Sequence, residues 1–260
     1  MVTTKGAQFR TWLILWMASL AGVIAVLPYL RELLEQALQE DAAASGRSLE
    51  ALLALQALLS AVLLALACWI GLWAARRIGL GAPIVEALAE RRTPRVSAQA
   101  VAESVLLGLL AGACVVALDL LVFAPPDAAG LTAERLSPVN GLLASIYGAI
   151  SEEVLMRLCL LSLLALALRS LFARRGAAPL PGWIFWTANV MVAVLFGLGH
   201  LPATAALVPL TAGIVARAIV LNGLLALLFG VLYRRHGLEM AMVAHFAADI
   251  VLHVLTPLLI

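Results

Sequence analysis

Charge is scarce in this chain. Asp, Glu, Lys and Arg supply 12% of its 260 residues against 64% hydrophobic, and the mean hydropathy is +1.06. A soluble domain of this length carries about twice that charged share, so composition excludes one. Dense basic tracts are missing too: the formal net charge is +2 and comes from short connections, which excludes nucleic acid as a partner. Cysteine is down to three, Cys68, Cys114 and Cys159, each alone in a different apolar run. With no Cys-x-x-Cys spacing for zinc or redox chemistry, they read as small packing residues. Internal repeats, low-complexity linkers and a second domain are also absent, so residues 1–260 are expected to form a single membrane domain.

Long apolar runs, by contrast, are plentiful. A membrane-spanning helix needs about 20 mostly apolar residues. Thr11 to Leu30, Ala51 to Ala75, Ser104 to Ala124, Val139 to Phe172, Trp183 to Leu201, Ala203 to Tyr233 and Met240 to Ile260 all qualify. The expected fold class is therefore all-α, a polytopic transmembrane bundle of about seven helices, or eight if the stretch around Arg217 crosses twice. The first run follows Lys5 and Arg10 but is too long for a signal peptide and is followed by no prompt cleavage site, so it reads as a retained anchor. Arg76, Arg77, Arg91, Arg92 and Arg95 crowd one connection, whereas 31–50 is mainly acidic. The positive-inside bias then predicts a multi-pass cell-membrane protein with a cytoplasmic amino terminus. Leu33, Leu34, Ala37 and Leu38 share a helical face, so that segment lies along the interface or prolongs a membrane helix. The stretch Glu86 to Arg95 reads as a solvated connection.

Against this oily background three ionisable clusters stand out: Glu152-Glu153-Val-Leu-Met-Arg157, Phe196-Gly-Leu-Gly-His200 and His245-Phe-Ala-Ala-Asp249. An ionisable side chain at membrane depth costs roughly 2.5 to 3.5 kcal/mol on insertion scales, so such groups face a bundle interior or a polar cavity. Glu153 and Arg157 are four apart and share a helical face, where a guanidinium fork can neutralise and orient a carboxylate. Glu152 points about 100 degrees away in an α-helix. One glutamate is then free for chemistry while its neighbour is held, in either order. Phe196 and His200 share a face, as do His245 and Asp249, so Asp249 could fix the His245 tautomer or point at the reacting centre. Gly197 and Gly199 offer close helix approach. Asp119, Asn189, Asn222, His236 and His253 read as packing or interface groups. Singly, each cluster has an ordinary explanation: Glu-Glu-x-x-x-Arg is common on soluble helices, and a lone membrane histidine is usually an interhelical hydrogen bond. Their combination on separate membrane helices points to hydrolysis.

That combination, in that order, resembles the CAAX-protease and bacteriocin-processing family of intramembrane endopeptidases. The matching stretch runs from Ser151 to Asp249, with Gly230-Val-Leu-Tyr-Arg-Arg-His-Gly-Leu also family-like, so the catalytic core implied is about 139–260. The resemblance implies Glu152 as catalytic glutamate, Glu153 and Arg157 as its motif partners, His200 and His245 as site histidines, and Asp249 at the last position, where many relatives have asparagine. It implies a peptide or membrane-protein substrate met in the lipid bilayer. Two mechanisms stay open. In one, Glu152 and His200 activate water while His245, with Asp249, stabilises the transition state. In the other, Glu152, His200 and His245 bind a divalent metal such as zinc, without His-Glu-x-x-His spacing. Two rival classes are a catalytically silent scaffold or immunity factor of the same family, whose function would survive Glu152→Ala, and a proton-coupled transporter, which would move ions and release no cleaved product.

One geometric difficulty accompanies this reading. With a single crossing between His200 and His245, helical rise puts His200 about 25 Å along its helix and His245 about 10 Å along its own. The expected remedy is a segment broken near Pro202 and Pro209, with a second crossing as the alternative.

Overall fold

The computed structural model describes residues 4–46, 48–123, 137–173 and 180–259. Among these it is all-helical, and helical stretches that run on without a break share one label here. They are α1 (Lys5–Ser45), α2 (Leu49–Ile78), α3 (Pro83–Ala89), α4 (Ala98–Phe123), α5 (Pro138–Phe172), α6 (Gly182–Ala205), α7 (Ala212–His236) and α8 (Leu238–Leu259). All but the short α3 are long and apolar enough to cross a membrane, which gives seven spans. The second crossing between His200 and His245 is therefore not present. The break falls at 206–211, ahead of α7, which then runs as one uninterrupted helix.

The sequence marks the helix ends by familiar chemistry. Ser48, Ser97 and Thr211 each accept a hydrogen bond from the backbone N–H three residues on, at the starts of α2, α4 and α7. Gly237 turns the chain from α7 into α8 at φ 95°, a conformation that favours glycine. Beyond its membrane span, α1 continues as a helix to Ser45, so the acidic segment prolongs a membrane helix.

The connection between α2 and α4 departs in its first half from the solvated stretch expected, whereas 91–95 is mostly exposed. Within it, α3 packs against α1, and Ala82, Ala87 and Ala89 are buried. Arg10 Nε donates to the Ala89 carbonyl at 2.7 Å, Arg76 pairs with Glu86 at 3.1 Å, and the Val85 N–H donates to Glu239 at 2.8 Å. Pro83 starts α3 and Glu86 sits in its first turn. Arg76 and Glu86 pair with each other, and Arg10 and Glu239 bond to backbone groups of this connection, once the chain folds. Arg169 also reaches the Arg77 carbonyl, and Arg235 pairs with Glu103. The arginines that the charge bias assigns to one face thus share one end of the bundle.

At the centre of the functional half, α8 packs against α4, α5 and α7. Contact between α4 and α8 is backbone to backbone, because a Cβ at Gly108 would run into the Ala244 carbonyl oxygen, one residue before His245. Small residues permit such contact between membrane helices. Gly108→Ala is expected to push α8 outward and cost about 1 to 3 kcal/mol, the usual range for overpacking. Thermal unfolding of the purified variant in detergent measures it; an unchanged midpoint would contradict this packing.

Candidate active site

The middle of α5 is not an ordinary α-helix. It runs as π turns over Gly148–Glu152 and again over Val154–Leu161. Such wider turns are rare and concentrate at functional sites. Consecutive side chains diverge less in a π turn than in an α-helix, and both glutamates reach the same imidazole on α8. Glu153 Oε1 accepts a hydrogen bond from His245 Nδ1 at 2.7 Å, and Glu152 Oε2 lies 3.9 Å from His245 Nε2.

The two acids nevertheless occupy different environments. Glu153 and Arg157 are fully buried, with Glu153 Oε1 3.0 Å from Arg157 Nη1. That contact is an ion pair without hydrogen-bond alignment, since Arg157 Nη1 and Nε and Glu153 Oε2 have no hydrogen-bond partner among the described residues. Other groups complete the setting of the cation. Arg157 Nη2 donates to the Ala226 carbonyl of α7 at 3.1 Å, and the rings of Phe196 and Phe229 lie 5.2 and 5.3 Å from the guanidinium carbon. Phe229 also stacks on His245 at 4.6 Å. Glu152, in contrast, keeps 23% of its side chain exposed and makes no hydrogen bond among the described residues. The ambiguity between the two glutamates is resolved in geometry: Glu153 is the clamped one and Glu152 the free one.

His245 is held on three sides. Its Nδ1–H is committed to the Glu153 carboxylate, so its Nε2 points toward Glu152 and toward Asp249 Oδ2, 3.5 Å away. That approach of Asp249 is possible because residue 148 has no side chain. A Cβ there would lie 2.5 Å from Asp249 Oδ2 and 3.1 Å from His245 Nε2. Glu152, His245 and Asp249 thus converge closely against the Gly148 backbone.

His200 stands apart from the carboxylates. No carboxylate oxygen lies within 4.0 Å of it among the described residues, and its Nδ1 donates to the Phe196 carbonyl at 2.8 Å. A carbonyl can only accept, so the proton sits on Nδ1 and Nε2 carries the lone pair. Phe196 is the intermediary, with its ring centroid 4.7 Å from that of His200 and 6.2 Å from that of His245. Of the two glycines expected to allow close approach, only Gly197 does so: a Cβ there would lie 2.5 Å from the Ile219 Cα of α7, whereas Gly199 faces open space.

The sequence-level reading left out His253, which the structure brings to the edge of this constellation. Its Nε2 is 3.9 Å from Asp249 Oδ1, and its ring meets Tyr29 of α1 at 5.8 Å. The i, i+4 spacing from Asp249 was a usable signal. Asp119 and Arg217 form a bidentate pair at 2.6 Å between α4 and α7, and Asn189 donates to the Leu227 carbonyl, both in keeping with interhelical packing. Cys68 is buried, Cys159 half-buried and Cys114 exposed.

For a metal, the donor set can be tested directly. Among the described residues no three His, Cys, Asp or Glu side chains are grouped so as to hold an ion. What the arrangement supplies is a free carboxylate, an imidazole clamped by a buried ion pair, and a second acid, Asp249, beside that imidazole.

Comparison with known proteins adds one finding: residues 134–251 match the family model for type II CAAX prenyl endopeptidase, Rce1-like. That span contains all six ionisable residues of the three clusters. No curated protein and no solved structure matches the chain.

Proposed function

We propose, on the match of residues 134–251 to the family model for type II CAAX prenyl endopeptidase, Rce1-like, that this protein is an intramembrane endopeptidase that cleaves a peptide or membrane-anchored protein with Glu152 as general base. The observation that carries the proposal is the contrast between two adjacent carboxylates on one imidazole. Glu153 is spent on Arg157 and His245, while Glu152 is free, partly exposed and directed at the same imidazole.

In this mechanism a water between Glu152 and the substrate loses a proton to the Glu152 carboxylate as its oxygen attacks the peptide carbonyl carbon. The developing oxyanion takes a hydrogen bond from Nε2–H of His245, which in this step is the imidazolium, its Nδ1–H remaining on Glu153. Glu153 holds the other side of that ring, so the donor is fixed before charge develops. Arg157 pairs with Glu153 and holds it in place. Asp249 lies beside that nitrogen and orients His245 through Nε2. The tetrahedral intermediate then collapses, the C–N bond breaks, and Glu152 returns its proton to the leaving amine. His200, with a lone pair on Nε2, serves as a second acceptor for water entering past Phe196.

The test is cleavage of a library of lipid-anchored and membrane peptides by purified protein in nanodiscs, with and without a chelator. Products formed at the same rate in chelator are expected. Loss of activity on chelation, restored by a divalent ion, would overturn the metal-free route. A folded wild-type protein that releases no product from any substrate class would overturn the protease assignment.

A further inference from the structure

At the arginine-rich end of the bundle, α2 and α5 first meet and then part. They meet backbone to backbone at Gly71, where a Cβ would lie 2.8 Å from the carbonyl carbon and oxygen of Leu158. One to four turns further along, a groove of about 330 Å³ opens between them, lined by Trp73, Arg77, Leu163, Leu166, Ala167 and Ser170. Its walls are apolar and face the membrane: Trp73 and Leu163 are among the exposed large hydrophobic side chains.

Its rim is cationic. Arg77 folds back over Trp73, with the guanidinium carbon 4.0 Å from the ring centroid and Nη1 donating to the Trp73 carbonyl at 3.0 Å. Arg169 Nη1 donates to the Arg77 carbonyl at 2.9 Å, which ties a second guanidinium to the same rim. These two cations differ from the five described arginines that are paired with an acid. Arg76, Arg92, Arg157, Arg217 and Arg235 each have a carboxylate within 4.0 Å. Arg77 and Arg169 have none among the described residues, and both keep donors that their backbone contacts do not use. Beside them Phe172 and Trp183 meet edge to face at 6.4 Å, both exposed. Exposed aromatics at a helix end mark the level where acyl chains give way to headgroups.

Two guanidiniums without acid partners, above an apolar slot at that level, are complementary to a single kind of molecule. It has a phosphate that accepts from both arginines and an acyl chain that runs down past Leu166 and Ala167. Basic pockets between membrane helices bind anionic headgroups on the same principle. The larger groove of about 550 Å³ between α4, α5 and α8, lined by residues such as Val105, Ile146 and Phe246, contains no such polar rim and does not distinguish one lipid from another.

We propose that the α2–α5 groove is a binding site for one anionic phospholipid, with Arg77 and Arg169 as its phosphate ligands. The bound lipid joins α2 to the half of α5 that lies beyond Glu152 and Glu153, so its occupancy stabilises the helix that carries the candidate active site. This assignment depends on the membrane spans and not on the protease reading.

The experiment is native mass spectrometry of the full chain released from micelles with phosphatidylglycerol or phosphatidylcholine, alongside thermal unfolding in each lipid. The wild type is expected to retain phosphatidylglycerol in preference to phosphatidylcholine. Arg77→Gln with Arg169→Gln, folded by circular dichroism, should weaken that preference about thirtyfold, the loss expected of two guanidiniums at a membrane surface. Ala167→Trp, which fills the slot and leaves both arginines, should lower lipid retention as well. Equal retention of the two lipids by the wild type, or an undiminished preference in the arginine variant, would overturn the proposal. Displacement of the lipid by inorganic phosphate with no effect of Ala167→Trp would also overturn it, in favour of a simple anion site.

Discussion

Glu152→Gln is expected to lower cleavage by about 10² to 10⁴, the range ascribed to a positioned general base, and to leave the fold unchanged. The reason is its environment. Glu152 makes no hydrogen bond among the described residues and keeps 23% of its side chain exposed. An amide of the same shape therefore orphans no buried partner and adds no volume. Stability should stay within roughly 0.5 kcal/mol of wild type, as for substitutions that touch no buried network. Single-turnover cleavage in nanodiscs, paired with thermal unfolding of the same preparation, separates the two effects. Full activity in the variant would remove Glu152 from the mechanism. A large loss of stability would mean that the carboxylate is structural, and the contrast with Glu153 would collapse.

The neighbouring acid should behave in the opposite way. Arg157→Met is expected to destabilise the protein by roughly 3 to 5 kcal/mol, because removing one partner of a buried pair leaves the other charge uncompensated. Arg157 and Glu153 are both fully buried, and once the guanidinium is removed only the His245 ring, engaged in the site, remains beside the carboxylate. Restoring charge balance with Glu153→Gln in the same chain should recover most of that stability, since a neutral amide beside an apolar side chain costs far less than an isolated carboxylate. The double variant should still be a poor enzyme. Its His245 has lost the anion that orients Nδ1, 2.7 Å away in the native site. Denaturant titration of the two single variants and the double variant provides the coupling energy. Additive losses would show that the pair does not act as a unit.

These two outcomes bear on how much could be read before folding. The spans were legible because a bilayer demands about 20 apolar residues per crossing, and the runs that meet this demand correspond to α1, α2 and α4 to α8. The pairing of Glu153 with Arg157 was legible as well, because spacing along one helix fixes which side chains share a face. The identity of the free glutamate was not. It depends on π turns in α5 and on His245 arriving from α8, 92 residues later in the chain. Likewise, Asp119 and Arg217 are 98 residues apart, and no periodicity within either helix announces their bidentate pair. The role of 83–89 was hidden for a related reason. A short charged connection looks solvated until Arg10, Arg76 and Glu239 from three other elements close around it.

By itself, then, the sequence determined the membrane class, the number of apolar crossings to within one, and the residue types available for chemistry. Each of these follows from composition or from spacing along a single helix. Only the tertiary structure decided that Glu152 is free and Glu153 is clamped, that Phe196 stands between His200 and His245, that His253 borders Asp249, and that a groove with two acid-free arginines opens between α2 and α5. Those facts depend on how each helix is rotated and staggered against its neighbours. Rotation and stagger are set by contacts such as Gly108 on Ala244 and Gly71 on Leu158, between segments far apart in the chain, which no one-dimensional pattern encodes.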